Sequence, residues 1–171
     1  GTMLVIREGD TQSATDLPDP ESAVSFVGAG KTLFSYQRKL SLDADRNHLL
    51  MTGAVVMIHE PPNAQSTFQL DCETLTAEFV QSGGIERWLS GDAPQPKIVT
   101  VSATQNVNVS TDDMSAYAHN LEYDGRKQIL KLKAGPHGPG QLTTSDQAVF
   151  SFRELWWDLV NGKRTVFDLN A

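Results

Sequence analysis

Residues 98–134 read IVTVSATQNVNVSTDDMSAYAHNLEYDGRKQILKLKA. Val99, Val101 and Ala103 alternate with Thr100 and Ser102, and Val107 and Val109 with Asn106 and Asn108. Leu130, Leu132 and Ala134 then alternate with Lys131 and Lys133. A period of two places every second side chain on one face of a strand, so this stretch predicts sheet with one apolar face. Asp124-Gly125 lies between two such runs, and this dipeptide favours the positive φ of a tight hairpin turn.

The same alternation extends in both directions. It recurs in Phe68-Gln69-Leu70-Asp71-Cys72, Thr74-Leu75-Thr76-Ala77-Glu78-Phe79, Val149-Phe150-Ser151-Phe152 and Thr165-Val166-Phe167-Asp168-Leu169. Between the runs stand turn residues: Asp45-Arg46-Asn47, Pro61-Pro62-Asn63, Ser82-Gly83-Gly84, the Gly135–Gly140 Gly/Pro loop, and Asn161-Gly162, a second hairpin signal. Residues 152–160 are aromatic-rich and precede Asn-Gly, which favours strand over helix. The expectation is an all-β chain with little or no helix. Met3-Leu4-Val5-Ile6 forms a short strand in an otherwise loose lead-in over 1–22. A single β-domain follows over 23–171, interrupted by a Gly/Pro-rich excursion at 81–97.

Hairpins repeat along the chain. Leu40-Ser41-Leu42-Asp43, a polar turn and Leu49–Gly53 match Leu121-Glu122-Tyr123-Asp124, a polar turn and Ile129–Gly135. Trp157-Asp158-Leu159 leading into Thr165–Leu169 is a partial third copy. No hairpin buries its apolar face alone, so the copies must stack or fold over one another. Trp156 and Trp157 are adjacent on a strand, which sends one ring inward and the other toward solvent or a partner.

Composition excludes several function classes. With 171 residues and 39% hydrophobic content, the chain can build a core without disulfides or metals, and Cys72 is its only cysteine. On its strand Cys72 shares a face with Phe68 and Leu70 and reads as a small hydrophobe. The formal charge of -7 opposes binding to phosphate backbones, so nucleic acid is not an expected partner. Ala54–Ile58, the longest apolar run, is far short of the roughly 20 residues that cross a bilayer. Gly1-Thr2-Met3 reads as an expression junction, leaving room for a signal or anchor removed ahead of it.

No catalytic or metal motif emerges. Gly28-Ala29-Gly30-Lys31-Thr32 imitates the end of a phosphate loop, but Ser25 stands where the first glycine belongs, and a strand-like run follows instead of a helix. His48, His59, His119 and His137 are scattered, and one cysteine does not complete a zinc site. Asp43-Ala44-Asp45 and Asp112-Asp113 lack the glycine and glutamate of a calcium loop and read as solvated turns. There is no G-x-S-x-G elbow. No enzyme activity and no cofactor are expected.

Val101–Val109, Ser115–Asp124 and Ile129–Leu132 together resemble the OstA-like repeat of the periplasmic lipopolysaccharide-transport proteins, in which a V-x-V strand is followed by a strand ending in Tyr-Asp, a turn and an L-x-L strand. Leu40–Ile58 and Asp71–Phe79 resemble a weaker copy, and the likeness runs from about Phe34 to Leu169. It implies an antiparallel β-jelly-roll folded like a taco, with an apolar trough for acyl chains and open edges that pair with similar β-domains. A periplasmic or cell-envelope location follows, with lipopolysaccharide or another amphipathic lipid as partner. Alternation then nominates the trough residues Met51, Val55, Met57, Phe68, Leu70, Val99, Val101, Val107, Val109, Leu130, Leu132, Phe150, Phe152 and Phe167. The choice between Val55 and Val56 stays open, because both parities are apolar there. Acyl chains would dominate binding at about 0.8 kcal/mol per buried methylene, despite the acidic balance. The rival reading is a structural or interaction module of a larger envelope protein, with the same sheets closed over a packed core and acting through strand edges. An esterase or glycan-acting enzyme ranks third.

Overall fold

The computed structural model describes residues 2–7, 31–43, 45–60, 67–80 and 98–167. The loop at 61–66, the excursion at 81–97, the first three residues of the Gly-Ala-Gly-Lys-Thr segment and the last two of the 165–169 run lie outside them.

Twelve strands make one antiparallel sheet, with no helix among the described residues: β1 (Thr2–Arg7), β2 (Lys31–Tyr36), β3 (Lys39–Asp43), β4 (His48–Glu60), β5 (Phe68–Phe79), β6 (Ile98–Ser110), β7 (Met114–Asp124), β8 (Ile129–Lys133), β9 (Gly140–Thr144), β10 (Val149–Phe152), β11 (Glu154–Asp158) and β12 (Arg164–Phe167). Lys31 and Thr32 open β2, so strand, not a phosphate-binding helix, follows the glycines. β1 lies within the expected lead-in, yet it pairs with β2 along its length.

Four long strands hold the sheet together, and the outer two of them, β4 and β7, change neighbours halfway. β4 pairs with β3 over His48–Thr52 and with β2 over Val56–Glu60. β7 pairs with β9 over Met114–Tyr117 and with β8 over Asn120–Asp124. One half of the sheet therefore contains β1, β2, β9 and β10, and the other β3, β8, β11 and β12, with β4 to β7 running through both. The sheet is not closed. It is an antiparallel jelly roll folded across its middle.

The fold line is built from irregular backbone. β4 carries an extra residue between Thr52 and Val55, where Gly53 and Ala54 have φ of 83° and 44°. β6 does the same between Thr104 and Val107, where Gln105 and Asn106 have φ of 65° and 53°. Such bulges bend a strand and sharpen its twist. Opposite them, β5 and β7 switch the parity of burial: Phe68, Leu70 and Cys72 are buried, then Leu75, Ala77 and Phe79, and likewise Met114, Ala116 and Ala118, then Leu121 and Tyr123. What reads in sequence as two short strands, Phe68–Cys72 and Thr74–Phe79, is one bent strand whose inner face passes from one half to the other.

The three copies of the hairpin share one turn. Asp43, Asp124 and Asp158 each end a strand, and their Oδ1 atoms accept the backbone N–H groups of Arg46, of Arg126 and Lys127, and of Val160 and Asn161. Four residues after each aspartate the backbone turns left-handed: Asn47 at 49°, Gln128 at 53° and Gly162 at 64°. The Asn161-Gly162 expectation holds. In the Asp124 turn the left-handed residue is Gln128, and Gly125 has a different role, since a Cβ there would lie 2.6 Å from the Ile98 carbonyl oxygen. Its N–H donates to the Val99 carbonyl at 2.8 Å.

Gly125→Ala is therefore expected to lower the unfolding free energy by about 2 kcal/mol through steric conflict with fixed backbone. Gln128→Gly, which relieves a left-handed non-glycine, should raise it by up to about 1 kcal/mol. Urea denaturation measures both, and an unchanged midpoint for Gly125→Ala contradicts the close approach.

Candidate functional site

The inner faces of the two halves form one apolar cluster. Of the nominated residues, Met51, Val55, Met57, Phe68, Leu70, Val101, Val107, Val109, Leu130, Leu132 and Phe152 all lie in it, and none is more than 3% exposed. Val55, not Val56, points inward. Val99 is half-buried, near the end of β6. Each fully buried side chain of this size contributes about 1.5–3 kcal/mol, so the wall is the main source of stability.

Two nominated residues lie elsewhere. Phe150, on the outermost strand of its half, is 49% exposed. Phe167 is 42% exposed and does not join the wall. It pairs with Glu154, so it shares a face with Trp156, whose ring meets it edge-on at 5.5 Å. The inward residues of β12 are the partners of Leu155 and Trp157, namely Val166 and Arg164. The turn displaced the alternation by one, which the apolar pair Val166-Phe167 conceals. The two tryptophans divide as the strand geometry requires, Trp157 buried at 1% exposure and Trp156 on the outer face with the Lys131 ammonium 3.8 Å above its ring. Phe34, Leu75, Leu121, Tyr123, Leu155 and Trp157 are among the wall residues that lie beyond the nominated set. Leu75, Leu121 and Tyr123 sit in alternating runs whose parity only the fold line reveals.

The wall residues touch one another. Met51, Val55, Met57, Phe68, Leu70, Leu130, Leu132 and Phe152 have no accessible surface, so no space as wide as a water molecule borders them. An ion pair links the two halves at one end: Arg164 on β12 reaches Asp113, in the turn before β7, at 3.2 Å, and its guanidinium stacks over Trp157 at 4.8 Å. The Thr111 hydroxyl, and to a lesser degree Arg164, hold the Asp113 carboxyl below its ordinary range against the opposing effect of burial.

Two depressions open on the described surface away from the wall. One, of about 460 Å³, runs across the outer faces of β6, β7, β8 and β11 beside Ser102, Glu122, Lys131 and Trp156. The other, of about 590 Å³, lies where the β6 bulge meets β7 and the Gly/Pro loop before β9.

No protein-family model matches the chain, and no curated protein matches it in sequence. Among solved structures, the chain is similar to LptH of Pseudomonas aeruginosa, described as the LptA-homologous periplasmic component of the conserved lipopolysaccharide transport device. The TM-score is 0.57 at 12% identity, covering 82% of this chain and 84% of that one. The two share a fold.

Two buried reactive groups sit at the wall. His59 is 1% exposed, and its Nδ1 lies 2.9 Å from the Thr32 hydroxyl. Burial lowers its pKa below 6.5, outweighing the opposing pull of Glu60. A histidine that resists protonation when folded gives stability that is complete above pH 6.5 and declines as pH falls toward the lowered value. Thermal melts from pH 7.5 to 5 should therefore show a loss that His59→Gln flattens. Burial also pushes the Cys72 thiol up to about 12, with Asp71 and Glu73 adding to it. Cys72 should resist a thiol-reactive disulfide reagent in the native state and react within seconds in 6 M guanidinium; fast native labelling contradicts its placement.

Proposed function

We propose that this chain is a non-enzymatic bridging domain of the periplasm or cell envelope, which passes a lipopolysaccharide-like lipid along a seam between the two halves of its folded sheet. The observation that carries the reading is the combination of an open jelly roll with a predominantly apolar inner wall, in the architecture of a periplasmic lipopolysaccharide-transport component. Wall residues such as Met51, Met57, Leu130, Leu132 and Phe152 supply the surface for acyl chains. Because they meet one another, loading requires the halves to part about the bulges of β4 and β6, and the Arg164–Asp113 pair closes the seam at one end. The edge strands β10 and β12 carry exposed Val149, Phe150, Val166 and Phe167, which suit pairing with similar β-domains.

A second reading draws on the absence of water-sized space at the wall: the same sheets act as an interaction module with a permanently closed core. Cargo separates the two. Native mass spectrometry of protein purified from a lipopolysaccharide-producing host should show adducts at the mass of an amphipathic lipid. The double variant Val101→Thr, Val109→Thr keeps the shape of the wall but adds two hydroxyls, at about 1–3 kcal/mol each, and should still melt cooperatively with adducts reduced several-fold. Bare wild-type protein, or loading unaffected by the double variant, favours the closed module.

A further inference from the structure

The depression of about 590 Å³ beside the β6 bulge has no part in the acyl seam, and its chemistry differs from that of the wall. Its lining holds no carboxylate, ammonium or guanidinium, in a chain with 35 such side chains, 14 basic and 21 acidic. It presents instead the carboxamides of Gln105, Asn106 and Gln141, the ring and hydroxyl of Tyr117, and the imidazoles of His119 and His137. Carboxamides both donate and accept hydrogen bonds, as a sugar hydroxyl does. Tyr117 is 50% exposed, and its hydroxyl lies 3.3 Å from Asn106 Oδ1, which fixes an aromatic surface at the mouth. Among the described residues, the side chains of Gln105, Gln141 and the two histidines have no hydrogen-bond partner, so their capacity faces the opening.

Backbone geometry gives a second, independent sign. Gln105 and Asn106 are consecutive left-handed residues, a conformation glycine adopts without cost. The equivalent bulge in β4 does use a glycine, Gly53, at one of its two positions. In β6 both positions carry carboxamides, and strain of this kind concentrates where a side chain must be aimed at a ligand. Glycines shape the opposite side: a Cβ at Gly135 would lie 2.8 Å from His119 Cβ, and one at Gly140 2.2 Å from the buried Phe152 ring. The loop thus sits low enough to leave the cleft open, and its volume falls within the range of small-ligand sites, about 300–1,000 Å³.

We propose that this cleft binds an uncharged saccharide of one to three rings, with Tyr117 packing against a sugar face and Gln105, Asn106 and Gln141 bonding its hydroxyls. The assignment is independent of lipid transport. The sugar could belong to a free envelope glycan or to the headgroup of a glycolipid, and the experiment distinguishes them.

Saturation-transfer NMR on the full chain, with lactose and N,N′-diacetylchitobiose as probes, should give transfer to at least one at millimolar concentration. Tyr117→Ala should reduce affinity at least tenfold. Gln105→Gly removes the strain and one carboxamide, so it should raise the melting temperature while weakening binding several-fold, an outcome a merely structural Gln105 does not produce. A detergent-solubilised lactosyl lipid should compete with free lactose in wild-type protein and lose that competition in Tyr117→Ala. No transfer to either probe overturns the proposal. So does binding that both substitutions leave intact, or a lactosyl lipid whose binding is unaffected by Tyr117→Ala, which would place it in the seam. Stronger transfer to sialyllactose than to lactose also overturns it, because the cleft offers no ammonium or guanidinium to favour a carboxylate.

Discussion

A strand has two faces, and a strand that serves two facing sheets must keep its apolar side inward through the bend. Everything in this molecule depends on how β4 to β7 meet that requirement. Two of them, β4 and β6, add a residue and take the strain of left-handed backbone, roughly 1–2 kcal/mol per non-glycine residue. The other two, β5 and β7, skip a beat in the alternation, leaving Glu73 and Thr74, and His119 and Asn120, half-buried in succession. The devices alternate across the sheet, so each bulge opposes a parity switch and the ladder resumes on both sides of the fold line.

The bend determines what the ends can do. Because β4 exchanges β3 for β2 and β7 exchanges β9 for β8, each half has its own outer strands, and the sheet finishes in edges instead of closing into a barrel. Unpaired backbone groups on an edge favour addition of another strand. Two of the outermost strands, β10 and β12, are short, four residues each, and carry exposed Val149, Phe150, Val166 and Phe167. The apolar interior and the open edges therefore share one origin, a long sheet bent but never joined.

Much of this architecture was legible in the residues, and the illegible part has a physical cause. Alternation placed eleven nominated residues on the wall, from Met51 and Leu70 to Leu132 and Phe152, because solvent on one side and core on the other leave few alternatives to a period of two. It failed at interruptions of the period. Phe167 follows a five-residue turn that shifts its strand by one, and the neighbouring Val166 is as apolar as the residue it replaces. Phe150 has the inward parity of Phe152 but lies toward the open end of an edge strand, where it stays half exposed. Asp124-Gly125 gave the right hairpin for an incomplete reason: the left-handed position falls on Gln128, and the glycine is required by the carbonyl of Ile98. The 590 Å³ cleft had no signal in sequence, since its lining comes from β6, β7 and the Gly/Pro loop that leads into β9, and carboxamides in a polar stretch look like solvated surface.

Repetition gives the chain its economy, and departures from repetition mark where it has been put to separate uses. Three turns place an aspartate at the same point and a left-handed residue four positions later, occupied by Asn47, Gln128 and Gly162. The backbone demand is the same in all three, so the residue type is free to answer to its surroundings: Asn47 is buried, with its carbonyl accepting the Phe79 N–H at 3.1 Å, while Gly162 lies on a surface turn. The two bulges form a similar pair. Gly53 meets its backbone demand at least cost, and any Cβ there would collide with the Arg38 stem. Gln105 and Asn106 meet the same demand at greater cost and project amides over an uncharged hollow. Where one bulge only bends a strand and the other bends it while holding two polar side chains in place, the second has acquired a task beyond folding.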